Sequence, residues 1–147
     1  MIQYLPMNEG HVPQVAALEK LCFRDPWSEN SIAYELTNPL SFWLVAEAAG
    51  QVLGYVGSQT VLDEADMMNI AVHPDARRQG IAGQLVTELI AALCQKGVRS
   101  LTLEVRVSNS PAISLYEKLG FIQAGRRPNY YRNPKEDAWI LRKEWSL

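Results

Sequence analysis

Two periods of apolar spacing alternate along the chain. His11 to Phe23 carries apolar residues at Val12, Val15, Ala16, Leu18, Leu21 and Cys22, the pattern of one helix face. Asp25-Pro26-Trp27-Ser28 interrupts it. Ser28, ahead of Glu29, Asn30 and Ser31, is placed to cap a second helix that ends before Asn38-Pro39. Phe42 to Ala46 and Val52 to Gly57 then read as strands of a hairpin turning at Ala49-Gly50-Gln51. Asp63-Glu64-Ala65-Asp66 reads as an acidic turn, and Met67 to Val72 as a strand stopped by His73-Pro74. Ile81, Leu85, Leu89 and Leu93, joined by Val86 and Ile90, restore helical spacing up to a C-terminal cap at Gly97.

Leu101 to Val107 alternates strictly, which sets Glu104 on the face shared by Thr102 and Arg106. A short helix follows, with Ser110 as its N-cap and Pro111 in its first turn, and ends at Gly120. Ile2 to Leu5 adds a first strand. Phe121 to Gly125 and Ala138 to Leu141 add two closing strands, joined by the polar segment Arg126–Asp137. The order β-α-α-β-β-β-α-β-α-β-β predicts an α/β (α+β) fold: a mixed sheet with helices on both faces.

Composition narrows the function classes. The 147 residues fit one domain spanning 1–147, and no repeat or linker divides them. A hydrophobic share of 48% with 20% charged residues excludes a disordered chain. Fourteen basic against sixteen acidic residues give a net charge of −2, a poor match for direct nucleic-acid binding. Cys22 and Cys94 offer neither a disulfide framework nor zinc spacing, so no metal is expected. No apolar run approaches the ~20 residues of a membrane span, and the N-terminus lacks a signal peptide's features. The expectation is a cytoplasmic monomer without membrane contact.

Chemistry concentrates between Val72 and Gly83. A strand ends there and a long helix begins in a run of small residues: Gly80, Ala82 and Gly83. A helix N-terminus offers free N–H groups and the positive end of its dipole, and Arg77 and Arg78 add charge nearby. A phosphate or pyrophosphate cradle is one reading. Close helix–strand packing by small residues is the other. No Gly-Lys-Ser/Thr follows, and the glycines do not fit the dinucleotide pattern.

Downstream, Glu104 sits in mid-strand, Asn109 in the next loop and Tyr116 on the short helix. Each has an ordinary alternative: a solvated strand face, a turn residue, a core aromatic. Their succession after the cradle is more informative than any one of them.

These segments resemble a known family. Arg77-x-x-Gly80-x-Ala82 is similar to the acetyl-coenzyme-A signature of the GNAT N-acetyltransferase superfamily. Asn109, Ala112, Leu115-Tyr116 and Leu119-Gly120-Phe121 resemble its downstream motif. Closer still is the resemblance to the bacterial ribosomal-protein-alanine N-acetyltransferases. It rests on Asp63-Glu64-Ala65, Asn69-Ile70-Ala71-Val72, Leu103-Glu104-Val105-Arg106 and Arg127-x-Asn129-Tyr130-Tyr131, and spans roughly residues 20 to 140. Ala82 stands where that subfamily usually has Gly, Arg77 where Gln is frequent, and Ser110-Pro111 where small residues precede the helix.

The resemblance implies a GNAT fold with a mostly antiparallel sheet and acetyl-CoA as cosubstrate. It implies that the backbone of Ile70, Ala71 and Val72 holds the pantetheine and acetyl end. The amides of Arg78, Gln79, Gly80, Ile81, Ala82 and Gly83 take the pyrophosphate, and Asn109 bonds the cosubstrate. Glu104 is the implied general base, through water, and Tyr116 the general acid. The implied acceptor is the N-terminal alanine of small ribosomal subunit protein 18.

The chemistry suits these residue types. An α-amine has a pKa of roughly 7.7–8.0 against about 10.4 for lysine, so one carboxylate suffices to deprotonate it. A backbone N–H near Val72 is the natural donor to the oxyanion, and a phenol such as Tyr116 can protonate the departing thiolate. Because the resemblance implies an acceptor whose following residues are basic, Asp63 and Glu64 are expected to help bind it, with a plain solvated turn as the alternative. Tyr130 and Tyr131 either wall the peptide channel or pack as hairpin aromatics. Two other functions stay open: acetylation of a small amine, antibiotic or lysine, and coenzyme-A binding without turnover.

Overall fold

Adjacent residues of one strand serve two separate cores. In the computed structural model, which describes all 147 residues, β2 (Ser41–Ala48) buries Trp43 and Val45 on one face and Leu44 and Ala46 on the other. On the first face, α1 (Val12–Cys22) and α2 (Glu29–Glu35) bring Val15, Leu18 and Ile32 against Trp43, Val45 and Tyr55. On the second, α3 (Ile81–Gln95) and α4 (Ser110–Lys118) bring Leu85, Leu89 and Tyr116 against Leu44, Val56 and Leu103. Each fully buried aliphatic side chain contributes about 1.5–3 kcal/mol, so both layers hold the sheet.

The sheet has seven strands in the order β1-β2-β3-β4-β5-β7-β6. The remaining members are β1 (Gln3–Pro6), β3 (Gln51–Val61), β4 (Glu64–Val72), β5 (Ser100–Arg106), β6 (Ile122–Tyr131) and β7 (Glu136–Glu144). Only β4 and β5 run parallel, and α3 makes their crossover. The β2–β3 hairpin turns on Ala49 and Gly50, both at positive φ (52° and 78°), as a two-residue turn favours.

Three local expectations change. The acidic turn shrinks to Leu62 and Asp63, because Glu64 to Asp66 already belongs to β4. There Glu64 and Asp66 are exposed while Ala65 and Met67 are buried, so the charges mask a period of two. The polar segment Arg126–Asp137 is mostly strand, since β6 runs to Tyr131 and β7 starts at Glu136. β6 is an edge strand exposed along nearly its whole length, so it carries no apolar alternation. The cap of α4 is Asn109, not Ser110: its Oδ1 accepts the Ala112 N–H at 3.3 Å. Ser28 caps α2 as expected, accepting from the Ser31 N–H at 3.1 Å.

A parting of strands positions the site. β4 and β5 pair from Glu64↔Ser100 to Asp66↔Thr102 and no further. Just beyond, Gly57 pairs with Asn69 and Ser58 with Met67, which leaves Met68 as an extra residue in β4. Such a bulge bends and twists its strand. β4 stays with β3 as far as Gly54↔Val72 while β5 stays with β7, so a wedge opens between them.

Candidate active site

The wedge is a cleft of about 1280 Å³. The backbone of β4 lines it. His73 N–H donates to the Leu53 carbonyl at 2.7 Å, so the opposed pair Gly54 and Val72 turn their own N–H and C=O groups away from each other. Those of Val72, and by the same alternation of Ile70, therefore face the cleft. Arg77 Nε reaches the Val72 carbonyl at 3.3 Å, and Cys22 Sγ lies 3.8 Å from it. Arg77 thus closes the end of β4 rather than reaching freely outward.

The start of α3 forms a second wall. Arg78 and Gly80 take positive φ values of 65° and 75°, which swing the chain into the helix. Gly80 has no side chain to cap it, and a Cβ there would meet nothing within 4 Å, so the approach is open. The N–H groups of Ile81, Ala82 and Gly83 face that opening without an intrahelical partner. A Cβ on Gly83 would press Leu115 at 3.3 Å, so this glycine also lets α4 approach α3. The close packing that Gly83 allows is of helix on helix rather than helix on strand, and the helix start beside it stays open to the cleft. Asn109 lines the same cleft, with its Oδ1 committed to the Ala112 N–H.

Glu104 and Tyr116 arrive from opposite faces of the sheet. Leu103 and Val105 join the core under α3 and α4, so Glu104 faces the α1–α2 side. Its carboxylate is 23% exposed. Tyr130 Oη donates to Oε1 at 3.3 Å, and Arg127 Nε faces Oε2 at 4.0 Å. Tyr116 comes from α4, packs edge-on against Phe121, and is buried. Its hydroxyl has only the Met67 thioether as neighbour, at 4.0 Å, and burial pushes its pKa up to about 12. The Tyr131 hydroxyl is likewise pushed up to about 12, by burial first and then by Tyr130 and Glu104.

The β6–β7 hairpin is shaped to deliver Tyr130. Pairing jumps from Arg127↔Ala138 to Tyr131↔Glu136, and Asn129 in the bulge takes φ 53°. Asp137 pins it, accepting the Asn129 N–H at 2.8 Å and Arg126 Nε at 2.7 Å. Those bonds hold the Asp137 carboxyl below the usual carboxylate range, the backbone N–H contributing most. Arg106, at the end of β5, bonds the carbonyls of Arg132 and Pro134 and places its guanidinium 4.4 Å from the Tyr131 ring centroid. Arg106 and Arg127 lie within segments that carry the resemblance but have no role there, and Asp137 lies in no motif. Asp137 closes the polar segment Arg126–Asp137, where nothing in the pattern marks it as the partner of the Asn129 N–H.

Asp63 and Glu64 are not brought to this site. They sit at the far end of β4, where Asp63 lies 3.8 Å from Arg99 and Glu64 lies 2.9 Å from Arg142. The carboxylates that do line the cleft are Asp25, Asp66 and Glu104, among six arginines that include Arg24, Arg78 and Arg132. The opposite charges meet in one cleft. The structure contains no group of three or more His, Cys, Asp or Glu side chains arranged for a metal.

A cleft between parting parallel strands, with a strand edge on one side and an uncapped helix start on the other, is the arrangement that the resemblance implies for an acyl-coenzyme-A-dependent transferase. The chain matches the Acetyltransferase (GNAT) family over residues 12–121 and belongs to that family. Within it, the chain is 42% identical over 133 residues to the ribosomal protein bS18-alanine N-acetyltransferase of Escherichia coli (strain K12), covering 88% of each. The crystal structure of the ribosomal-protein-S18-alanine N-acetyltransferase from Escherichia coli superposes with a TM-score of 0.92 at 37% identity, over 100% of this chain and 96% of that one. A chain of the NatC complex, crystallised bound to Gag peptide and CoA, superposes with a TM-score of 0.85 at 26% identity, over 99% of both chains.

Proposed function

We propose that this protein transfers the acetyl group of acetyl-CoA to the N-terminal α-amine of a protein, the N-terminal alanine of small ribosomal subunit protein 18. What supports the reading most is that Glu104 and Tyr116, from opposite faces of the sheet, both line the cleft that the β4 edge borders. The relatives at about 40% identity bear that activity in their names.

The residues present fit the cosubstrate. Of the cleft-facing backbone groups, the Ile70 C=O and the Val72 N–H remain for an extended pantetheine arm, with Ala71 between them. Arg78, Gln79 and Gly80 lead into the N–H groups of Ile81, Ala82 and Gly83, which offer a pyrophosphate the positive end of a fifteen-residue helix. Asn109 keeps its Nδ2 for the cosubstrate. When bound, acetyl-CoA supplies an activated thioester carbonyl.

Glu104 accepts the proton released as the amine nitrogen forms its bond to that carbonyl, through a water in the cleft. Tyr130 and Arg127 hold the carboxylate toward the cleft. The Val72 N–H lies on the edge where negative charge develops on the carbonyl oxygen. As the carbon–sulfur bond breaks, the still-protonated Tyr116 gives its proton to the sulfur. Tyr130 and Tyr131 wall the path of the incoming peptide. The same reading includes a monomer acting in the cytoplasm without direct nucleic-acid or membrane contact; no helix is long and apolar enough to cross a membrane.

An acceptor panel tests the proposal. A peptide beginning Ala-Arg is to be acetylated in strong preference to free lysine, a polyamine and an aminoglycoside. Equal or better turnover of any of those three would refute it.

A further inference from the structure

Glu19 projects from α1 toward the sheet and has no exposed surface. All its partners are neutral donors. Trp27 N–H reaches Oε1 at 2.9 Å, and the Tyr55 hydroxyl and Asn69 Nδ2 both donate to Oε2. Burial pushes its carboxyl above the usual range, opposed by the Trp27 N–H. Enclosing a carboxyl without a cation is costly, and an apolar side chain of similar size would fill the space without that cost. The significance of Glu19 lies in what it grips.

It grips two walls of the cleft. Trp27 stands in the connection between α1 and α2, whose residues 23–25 line the cleft after Cys22, the last residue of α1, which lies beside Val72. Asn69 follows the bulged Met68, and its Oδ1 accepts the N–H of Ile70 at 3.1 Å. That N–H belongs to the strand edge that faces the cleft. We infer that Glu19 is a positioning residue: through Asn69 it fixes the cleft-facing backbone of β4, and through Trp27 it fixes the connection lying against that backbone. The inference rests on this cleft being the acetyl-transfer site.

Reversing the polarity of one bond tests it. Glu19→Gln keeps the shape but replaces one acceptor oxygen with an N–H₂ group, so in either orientation of the amide a donor meets a donor, at the Trp27 N–H or at residue 69. Adding Asn69→Asp supplies an acceptor there and keeps an oxygen for the Ile70 N–H. The account predicts that Glu19→Gln lowers kcat per folded molecule on the order of tenfold, as a small misplacement of reacting groups does. It also predicts faster amide exchange at Ile70 and Trp27. The Glu19→Gln/Asn69→Asp double variant recovers most of both.

A merely structural role would lower Tm and leave kcat per folded molecule and Ile70 exchange unchanged. That result, or a double variant no better than Glu19→Gln, would overturn the inference. Amide exchange is read without any acceptor. A wild-type enzyme that ignores alanine peptides would therefore refute the acceptor proposal and leave this test intact.

Discussion

Tyr130 reaches across β7 to donate its hydroxyl to Glu104, 3.3 Å away on β5. Two strand spacings, roughly 9.6 Å, separate β5 from β6 in a flat sheet. The bulge at Asn129 lets the side chain cross that gap. Glu104→Gln is expected to lower kcat by on the order of 10²–10⁴-fold, the ordinary loss for a general base. Tyr130→Phe leaves the carboxylate in place and should cost less. Because the two act together, Tyr130→Phe should have almost no further effect in the Glu104→Gln background. Steady-state kinetics on the four proteins measures this coupling, and additive losses would contradict it.

Tyr116→Phe separates catalysis from stability. The Tyr116 hydroxyl is buried with only a thioether 4.0 Å away, so removing it forfeits no strong hydrogen bond. The variant should melt within a few degrees of the wild type, or above it, while kcat falls by about 10²-fold or more. Calorimetry and a thioester-consumption assay on the same preparation check both halves.

Stability should respond to pH at both extremes. A Tyr116 pKa raised to about 12 means that the folded state keeps a proton the unfolded chain loses near 10. Burial therefore has no effect through this group below pH 10, and above it the folded state suffers a penalty that grows as pH rises toward 12. At two pKa units it is on the order of 2–3 kcal/mol. Glu136 and Asp137 behave oppositely. Their carboxyls are held low, Glu136 chiefly by its bonds with Ser108 and Asp137 by the Asn129 N–H, so their contribution is present at neutral pH and lost as pH falls through their depressed values. Denaturant titrations of the wild type, Tyr116→Phe and Asp137→Asn across pH locate both losses. Tyr116→Phe should be flatter above pH 10, and Asp137→Asn flatter at acid pH.

Gly57 is predicted to tolerate no side chain. A Cβ built there would clash with the Trp43 ring, which is itself stacked on Tyr55 at 5.9 Å. Gly57→Ala must displace the ring and should destabilise by about 1–3 kcal/mol, the usual result of overpacking. Gly50→Ala, where a Cβ would meet nothing within 4 Å, has no such clash and suffers only from its φ of 78°. Thermal melts of the two variants compare the causes, and Gly57→Ala should lose more.

Periodicity carried the elements with a buried face and failed for those without one. Ile81, Leu85, Leu89 and Leu93 announce α3 because all four face the core. The alternation of β5 announces which side Glu104 takes. Only the start of β6, up to Gly125, is legible; its continuation to Tyr131 is not, because an edge strand needs no apolar face, and with it goes the means by which Tyr130 reaches Glu104. The bulge at Met68 was invisible too, since an inserted residue leaves no mark in a run as apolar as Met67-Met68-Asn69-Ile70. Asp63 and Glu64 were assigned by adjacency to the central strand, yet a nine-residue strand carries its two ends roughly 25–30 Å apart. Chain neighbourhood and site neighbourhood differ on that scale.

The central claim is that Glu104 and the β4 edge serve an N-terminal α-amine. A synthetic peptide that begins with alanine and carries one internal lysine offers both amines at equal concentration. After incubation with acetyl-CoA and enzyme, tandem mass spectrometry assigns the added acetyl group to one nitrogen or the other. The account predicts acetylation of the alanine α-amine alone, abolished by Glu104→Gln. Acetylation of the lysine side chain, or equal labelling of both amines, would contradict it.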